Sequence, residues 1–343
     1  MKHLLNTLYV TSEDVYLALE GENVVAKREG DALARYPLHT LQSIVTFSYF
    51  GASPALMGAC AERGIGLNFC TPYGKFLART DGASIGNVLL RRQQYRVADD
   101  EAQSCLIARA MIAGKVFNAR WSLERTLRDH RMRVDEAALQ NAIGILKQQL
   151  AAAVETVSLD TLRGVEGVAA AAYFGVFDQM ILRDPEAFSF EARTRRPPLD
   201  RVNAMLSFAY SLLTSECASA LAAAGLDAYV GFMHQDRPGR TSLALDLMEE
   251  LRPILADRFV LTLINNRVIT PSDFVIEDTG AVRLMDDGRK RFLAAWQERK
   301  KETIIHPFLQ EKLAWGLIPH IQAMLLARFL RGDLDAYPPF LWK

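Results

Sequence analysis

Residues 231 to 253, GFMHQDRPGRTSLALDLMEELRP, place one histidine and three acids where polar groups are expensive. His234 lies in a loop just ahead of a helical stretch that carries Asp246, Glu249 and Glu250. On a helix each residue turns by about 100°, so Asp246 and Glu249 fall within about 60° of one another and Asp246 and Glu250 within about 40°. Leu243, Leu245, Leu247, Met248 and Leu251 surround these acids, so the carboxylates need a cation, a hydrogen-bond network or a basic partner. Glu166, in RGVEGVAAAAYFGVF, repeats the problem, because Leu162, Ala170, Tyr173 and Phe177 continue its helical stripe and none of them neutralises it. One reading is structural: ion pairs with Arg252 or Arg240, and a hydrogen-bonded core histidine. The other is chemical, with Glu166, His234 and Glu249 gathered around one ion. Two carboxylates and an imidazole suit Mn²⁺ or Mg²⁺, with zinc disfavoured for want of more nitrogen or sulfur. Such an ion polarises a phosphodiester and activates a hydroxyl, the tasks of a nuclease or strand-transferase. No G-x-S-x-G elbow, P-loop or G-x-G-x-x-G fingerprint is present, so serine-hydrolase, NTPase and dinucleotide chemistry lose support.

The elements that must position these residues divide the chain in two. Up to about residue 80 the pattern is short and β-like, with a helix opened by Ser53 and Pro54 and closed by Gly64. From Gly86 onward it becomes long and helical, over roughly 89–113, 115–132, 135–153, 158–182, 201–224, 242–257, 287–300 and 303–331, with a short hairpin near 275–285. The expected fold is therefore α+β: a small N-terminal β-rich domain, 1–85, followed by a larger all-α domain, 86–343, that carries the metal site.

The 343 residues balance 40 Lys and Arg against 40 Asp and Glu, so any surface for a polyanion has to be local. Arg193, Arg195, Arg196 and Arg201 flank the stiff Pro197-Pro198 pair, a loop that presents guanidinium groups to phosphates at reduced entropic cost. Arg120 to Arg133 form a second basic run; either cluster is also compatible with an ordinary solvated face. Four cysteines lie singly, with no C-x-x-C pair, which fits a reducing cytoplasm. The longest apolar run, 207–226, is interrupted by Glu216 and reads as a buried helix, and the N-terminus reads as a strand, so no membrane association is expected.

At these residues the sequence resembles the CRISPR-associated integrase family, the first-numbered of the Cas proteins, in the flavour found with type I systems, subtype C. The similar blocks are GNVLLRRQQY (86–95), GVEGVAAAAYF (164–174), RRPPLDRVNAMLSFAYSLL (195–213), GLDAYVGFMH (225–234) and SLALDLMEELRP (242–253), in family order. The segments NTLYVT, PLHTLQSIVTF and ERGIGLNF are similar to the family's β-domain. Residue by residue, the family's metal ligands fall on Glu166, His234 and Glu249, and Asp246 matches the acid one turn earlier that supports the site. The resemblance implies a metal-dependent endonuclease and integrase of antiviral CRISPR adaptation. In it the 3′-hydroxyl of a short DNA duplex, the prespacer, attacks a phosphodiester at the edge of a CRISPR repeat. It also implies a homodimer built through the β-domains and a small second Cas protein as partner. The arginine loop and Tyr173 then become candidates for double-stranded DNA contacts, while Glu250, on the Leu243-Leu247-Ile254 stripe, is structural. Two alternatives use the same residues: a metal-dependent nuclease for branched DNA, and a catalytically silent DNA-binding scaffold.

Overall fold

Short runs in which apolar side chains recur at every second position fold as strands in the computed structural model, which describes residues 6–12, 14–71, 76–80 and 87–343. Thr7–Val10 (β1), Tyr16–Glu20 (β2), Asn23–Arg28 (β3), Asp31–Pro37 (β4) and Ser43–Thr46 (β5) are followed by helix Pro54–Arg63 (α1) and by Gly66–Cys70 (β6) and Phe76–Thr80 (β7). β1 and β6 flank β5 in parallel and β7 closes the sheet antiparallel, in the order β1-β5-β6-β7. The strands β2, β3 and β4 form a separate antiparallel meander. Leu17, Val24, Ile44, Leu56, Cys60 and Leu67 bury their side chains together, so α1 and both sheets share one core. The ends of α1 follow the expected chemistry: Ser53 Oγ accepts from Leu56 N–H at 3.2 Å, and Gly64 takes a left-handed φ of 65° that ends the helix.

The helical elements follow as Val88–Ala98 (α2), Glu101–His130 (α3), Glu136–Glu155 (α4), Leu159–Phe174 (α5), Arg201–Ala223 (α6), Ser242–Leu251 (α7) and Arg258–Asn265 (α8). The break expected near Gly114 falls instead at Asp99 and Asp100, where Asp100 caps α3 by accepting from the N–H groups of Ala102 and Gln103. α3 runs unbroken for 30 residues because Gly114 serves packing: a Cβ there would stand 2.9 Å from Glu250 Cβ and 3.2 Å from Pro339 Cβ. Four residues on, Asn118 Nδ2 donates to the carbonyls of Glu250 and Phe340, both at 2.7 Å, so α3, α7 and the C-terminal segment are tied along one line.

The helix expected over 242–257 continues to Asn265, but through a π-helical segment, Arg252–Asp257, between α7 and α8. Pro253 has no N–H for the ordinary ladder, and the wider turn accommodates it. Beyond α8 come strands Phe274–Ile276 (β8) and Val282–Leu284 (β9), which pair as the expected hairpin.

Helix Asp286–Lys301 (α9) belongs with the N-terminal strands, together with Trp315–Leu317. A division at residue 85 assigns both segments to the helical part. The reason for the difference is local: Gln297 Nε2 donates to Thr7 O at 2.8 Å, Arg289 lies over the Phe47 ring, and Phe292 and Trp296 are buried. The helix expected over 303–331 begins as a hairpin, Thr303–Ile305 (β10) with Lys312–Ala314 (β11), and only Ile318–Leu330 (α10) is helical. Pro307 bars a helix here, and His306 Nδ1 accepts from the Phe308 and Leu309 N–H groups to close the turn. Among the described residues no helix is long and apolar enough to cross a membrane.

Gly114→Ala gains about 1 kcal/mol of helix propensity and forces α3 away from α7, at a cost of about 1–3 kcal/mol. Net destabilisation in urea denaturation is the expected result; a stabilised variant would contradict the close approach.

Candidate metal and phosphodiester site

Asp246 is the most heavily used carboxylate around the candidate centre. From the buried face of α7 it accepts hydrogen bonds from the backbone N–H groups of Phe232 (2.6 Å), Met233 (3.0 Å) and His234 (3.0 Å), and its Oδ1 lies 2.6 Å from His234 Nδ1. These bonds fold the segment before α7 around one side chain, and Gly231 permits it, because a Cβ there would meet Asp246 Oδ2 at 2.8 Å. With Nδ1 engaged by a carboxylate, His234 presents Nε2 as its free donor nitrogen, the second partner arrangement that orients metal-ligating histidines. Arg163 ties the same loop to α5 by donating to Met233 O at 3.0 Å, one turn from Glu166.

Glu249 is buried at the next turn of α7. Burial alone would raise its pKa, but Arg252, Lys115 and His234 outweigh it and hold the carboxyl at about 2. Arg252 NH2 reaches Glu249 Oε1 at 2.8 Å, and Lys115 Nζ stands 2.8 Å from Oε2. The same Lys115 ammonium pairs with Glu166 Oε1 from α5. Two carboxylates on different helices therefore converge on one cation, with the imidazole of His234 close enough to Glu249 to favour its charged form. The structural reading of the acids is met in part by Arg252, whose guanidinium also stacks 4.7 Å over the Tyr210 ring.

As the side chains stand, no three His, Cys, Asp or Glu among the described residues form a closed metal cage. Lys115 holds the place between Glu166 and Glu249. The donor set still fits a divalent ion: hard carboxylate oxygens already gathered on a positive charge, and an oriented imidazole beside them. Lys115 is the residue that sequence reasoning missed. A lone lysine in the apolar run MIAGKVFNA carries the same signal that marked Glu166.

The neighbouring acid Glu250 faces the other way. Gln322 Nε2 donates to it at 2.9 Å, Phe340 N–H at 2.7 Å, and the Tyr337 hydroxyl also donates to it. Burial prevails over these donors and pushes its carboxyl up to about 7.

The candidate DNA residues separate just as clearly. Arg195 and Arg196 are exposed. Arg193 is spent internally, on Asn203 Oδ1 at 2.6 Å, on Ser207 Oγ and over the Tyr210 ring, and Arg201 donates to Ala187 O at 2.8 Å. Tyr173 is only 4% exposed, packs edge-on against Phe174 and Phe177, and faces Asp257, so its place is that of a core tyrosine and not of a DNA contact.

The description "CRISPR associated protein Cas1" matches residues 8–298. Over 343 residues, the whole of both chains, the sequence is 50% identical to "CRISPR-associated endonuclease Cas1 1" of Chlorobaculum tepidum. It is 51% identical over 350 residues, again the whole of both, to "CRISPR-associated endonuclease Cas1 2" of Rhodospirillum rubrum. A Cas1 protein from Thermotoga maritima shares the fold with a TM-score of 0.81 at 22% identity, over 97% of this chain and 99% of that one. A casposase bound to integration product does so at 0.82 and 21%, over 98% and 94%. The chain is thus one of the CRISPR-associated proteins. It belongs to the Cas1 family.

Because the folded chain holds the Glu250 proton more tightly than the unfolded chain, that group's contribution to stability is full below about 4.5 and is lost as pH rises through about 7. Glu250→Gln is expected to flatten this part of the stability-against-pH curve, measured by chemical denaturation between those limits; an unchanged slope would remove Glu250 as its source.

Proposed function

We propose that this chain is the metal-dependent endonuclease and integrase of CRISPR adaptation, joining the 3′-hydroxyl of a short DNA duplex to a phosphodiester at the edge of a CRISPR repeat. The observation that carries the reading is the convergence of Glu166 and Glu249 from separate helices on one cation, beside a histidine oriented by Asp246. Glu166, Glu249 and His234 would hold Mn²⁺ or Mg²⁺, which would supply Lewis-acid polarisation of the phosphodiester and stabilisation of the leaving oxygen. Asp246 fixes the imidazole, and Arg252 keeps Glu249 ionised and turned toward the site. DNA brings the nucleophile, so the protein's task is to position and to polarise, and a serine or cysteine nucleophile is not required. In the joining step a new P–O bond forms to the incoming 3′ oxygen as the repeat strand's P–O bond breaks, leaving the number of phosphodiesters unchanged.

The finer assignments rest on the family and on the surface. The β-rich unit, which includes Asp286–Glu302 and Trp315–Leu317, serves dimerisation and the helical unit catalysis; the working unit is a homodimer in the cytoplasm, bridged by a small second Cas protein, in a type I, subtype C system. Arg195 and Arg196 take DNA phosphates, since both are exposed beside the stiff Pro197-Pro198 pair.

A labelled short duplex, a supercoiled repeat-bearing plasmid and Mn²⁺ test the reaction, with the small partner present or omitted. Label joined covalently to the plasmid, and lost in EDTA, is the expected result, whereas hydrolysis without joining would leave only a nuclease. Glu166→Ala, His234→Ala and Glu249→Ala are each expected to lower joining by more than about 100-fold while circular dichroism shows a folded chain. Joining that survives in any one removes that residue from the ligand set. For the surface, replacing Arg195 and Arg196 together with Ala is expected to reduce the slope of log affinity against log salt by about 2. An unchanged slope takes the DNA elsewhere.

A further inference from the structure

Lys115 sits where nothing in the proposed reaction requires a lysine. Its ammonium pairs with Glu166 Oε1 and stands 2.8 Å from Glu249 Oε2, and its side chain is 10% exposed. Those two oxygens are the ones that the proposed metal site offers from its two helices. Glu249 Oε2 is buried, and the Lys115 ammonium faces it at 2.8 Å. The other oxygen of Glu249 is held by Arg252, an interaction compatible with metal at Oε2.

Resting on the metal reading above, we propose that Lys115 is a built-in competitor for the divalent ion: its ammonium holds Glu166 and Glu249 together in the metal-free protein and must be displaced for the ion to bind. The physical need is plain. Two carboxylates brought close without a cation repel, and one of them is buried. An ammonium keeps the two helices in register while metal is absent. It also taxes metal affinity, because the apparent dissociation constant is the intrinsic one divided by the fraction of molecules in which the lysine is out of the way. The device would make the site empty and ordered at low metal, and filled only when metal, with or without the charge of bound DNA phosphates, outcompetes the lysine.

Two measurements on the intact chain decide it. Calorimetric titration of Mn²⁺ into wild type and Lys115→Met is expected to show binding at least about tenfold tighter in the variant, as removal of a competitor populated about nine times in ten predicts. Equal or weaker binding in a folded Lys115→Met overturns the proposal. Crystals of the wild type grown in EDTA and soaked in Mn²⁺ give a second readout that needs no variant. Manganese located by anomalous scattering between Glu166 and Glu249, with Lys115 Nζ withdrawn from both, supports the displacement; manganese there with Nζ still touching both carboxylates overturns it. Absence of Mn²⁺ binding to both wild type and Lys115→Met would instead overturn the metal reading itself, and the competitor with it.

Discussion

Two acids from separate helices cannot face one another in a water-poor interior unless a positive charge stands between them, and the centre of the helical part is arranged around that constraint. α3 supplies Lys115, α5 supplies Glu166 and α7 supplies Glu249. Each helix is then fixed by something other than charge. Gly114 and Asn118 set α3 against α7, and Arg163 ties α5 to the loop before α7. The ion pairs alone would not define the geometry, because long side chains adapt; the backbone contacts leave the charges little choice of where to meet.

Pro253 adds a second constraint. By forcing a π-helical segment directly after α7, it keeps Arg252 and Asp257 on the inner side of the helix, one against Glu249 and the other against the Tyr210 hydroxyl at 2.6 Å. An ordinary helix continued through this point would lose a ladder bond and turn these residues by a different amount. Irregular helical turns of this kind recur at functional sites, where they aim side chains that regular geometry would point elsewhere.

Much of this was legible from residue types, and the failures have physical causes. The cost of burying an acid pointed to Glu166, Asp246 and Glu249, and the Ser53-Pro54 and Gly64 signals marked both ends of α1, because capping chemistry acts over three or four residues. Lys115 was overlooked because lysine is read as a surface residue unless its partners are known, and both of its partners lie more than fifty positions away in sequence. Gly114 suggested a break because propensity is local while the contact with Glu250 and Pro339 is not. Similarly, the guanidinium of Arg193 looked available beside a proline pair, yet Asn203 and Ser207, one helix later, had already engaged it. In each case the local pattern was silent about who stands opposite.

Glu249 and Glu250 make the same point within one turn of helix. The residues are chemically identical and adjacent, and both are buried, yet one carboxyl is held at about 2 and the other is pushed up to about 7. The difference lies in what each faces. Glu249 points at two cations and an imidazole, so it remains charged and able to attract a metal ion. Glu250 points at a phenol, an amide and a backbone N–H, neutral donors that stabilise its charge less than burial penalises it. Since successive residues on a helix are separated by about 100°, a single step along α7 crosses from the side that faces Lys115 and Arg252 to the packed core. The surroundings of each acid in this helix are set by rotation about its axis, and the packing of α3 against it decides which acid is on which side.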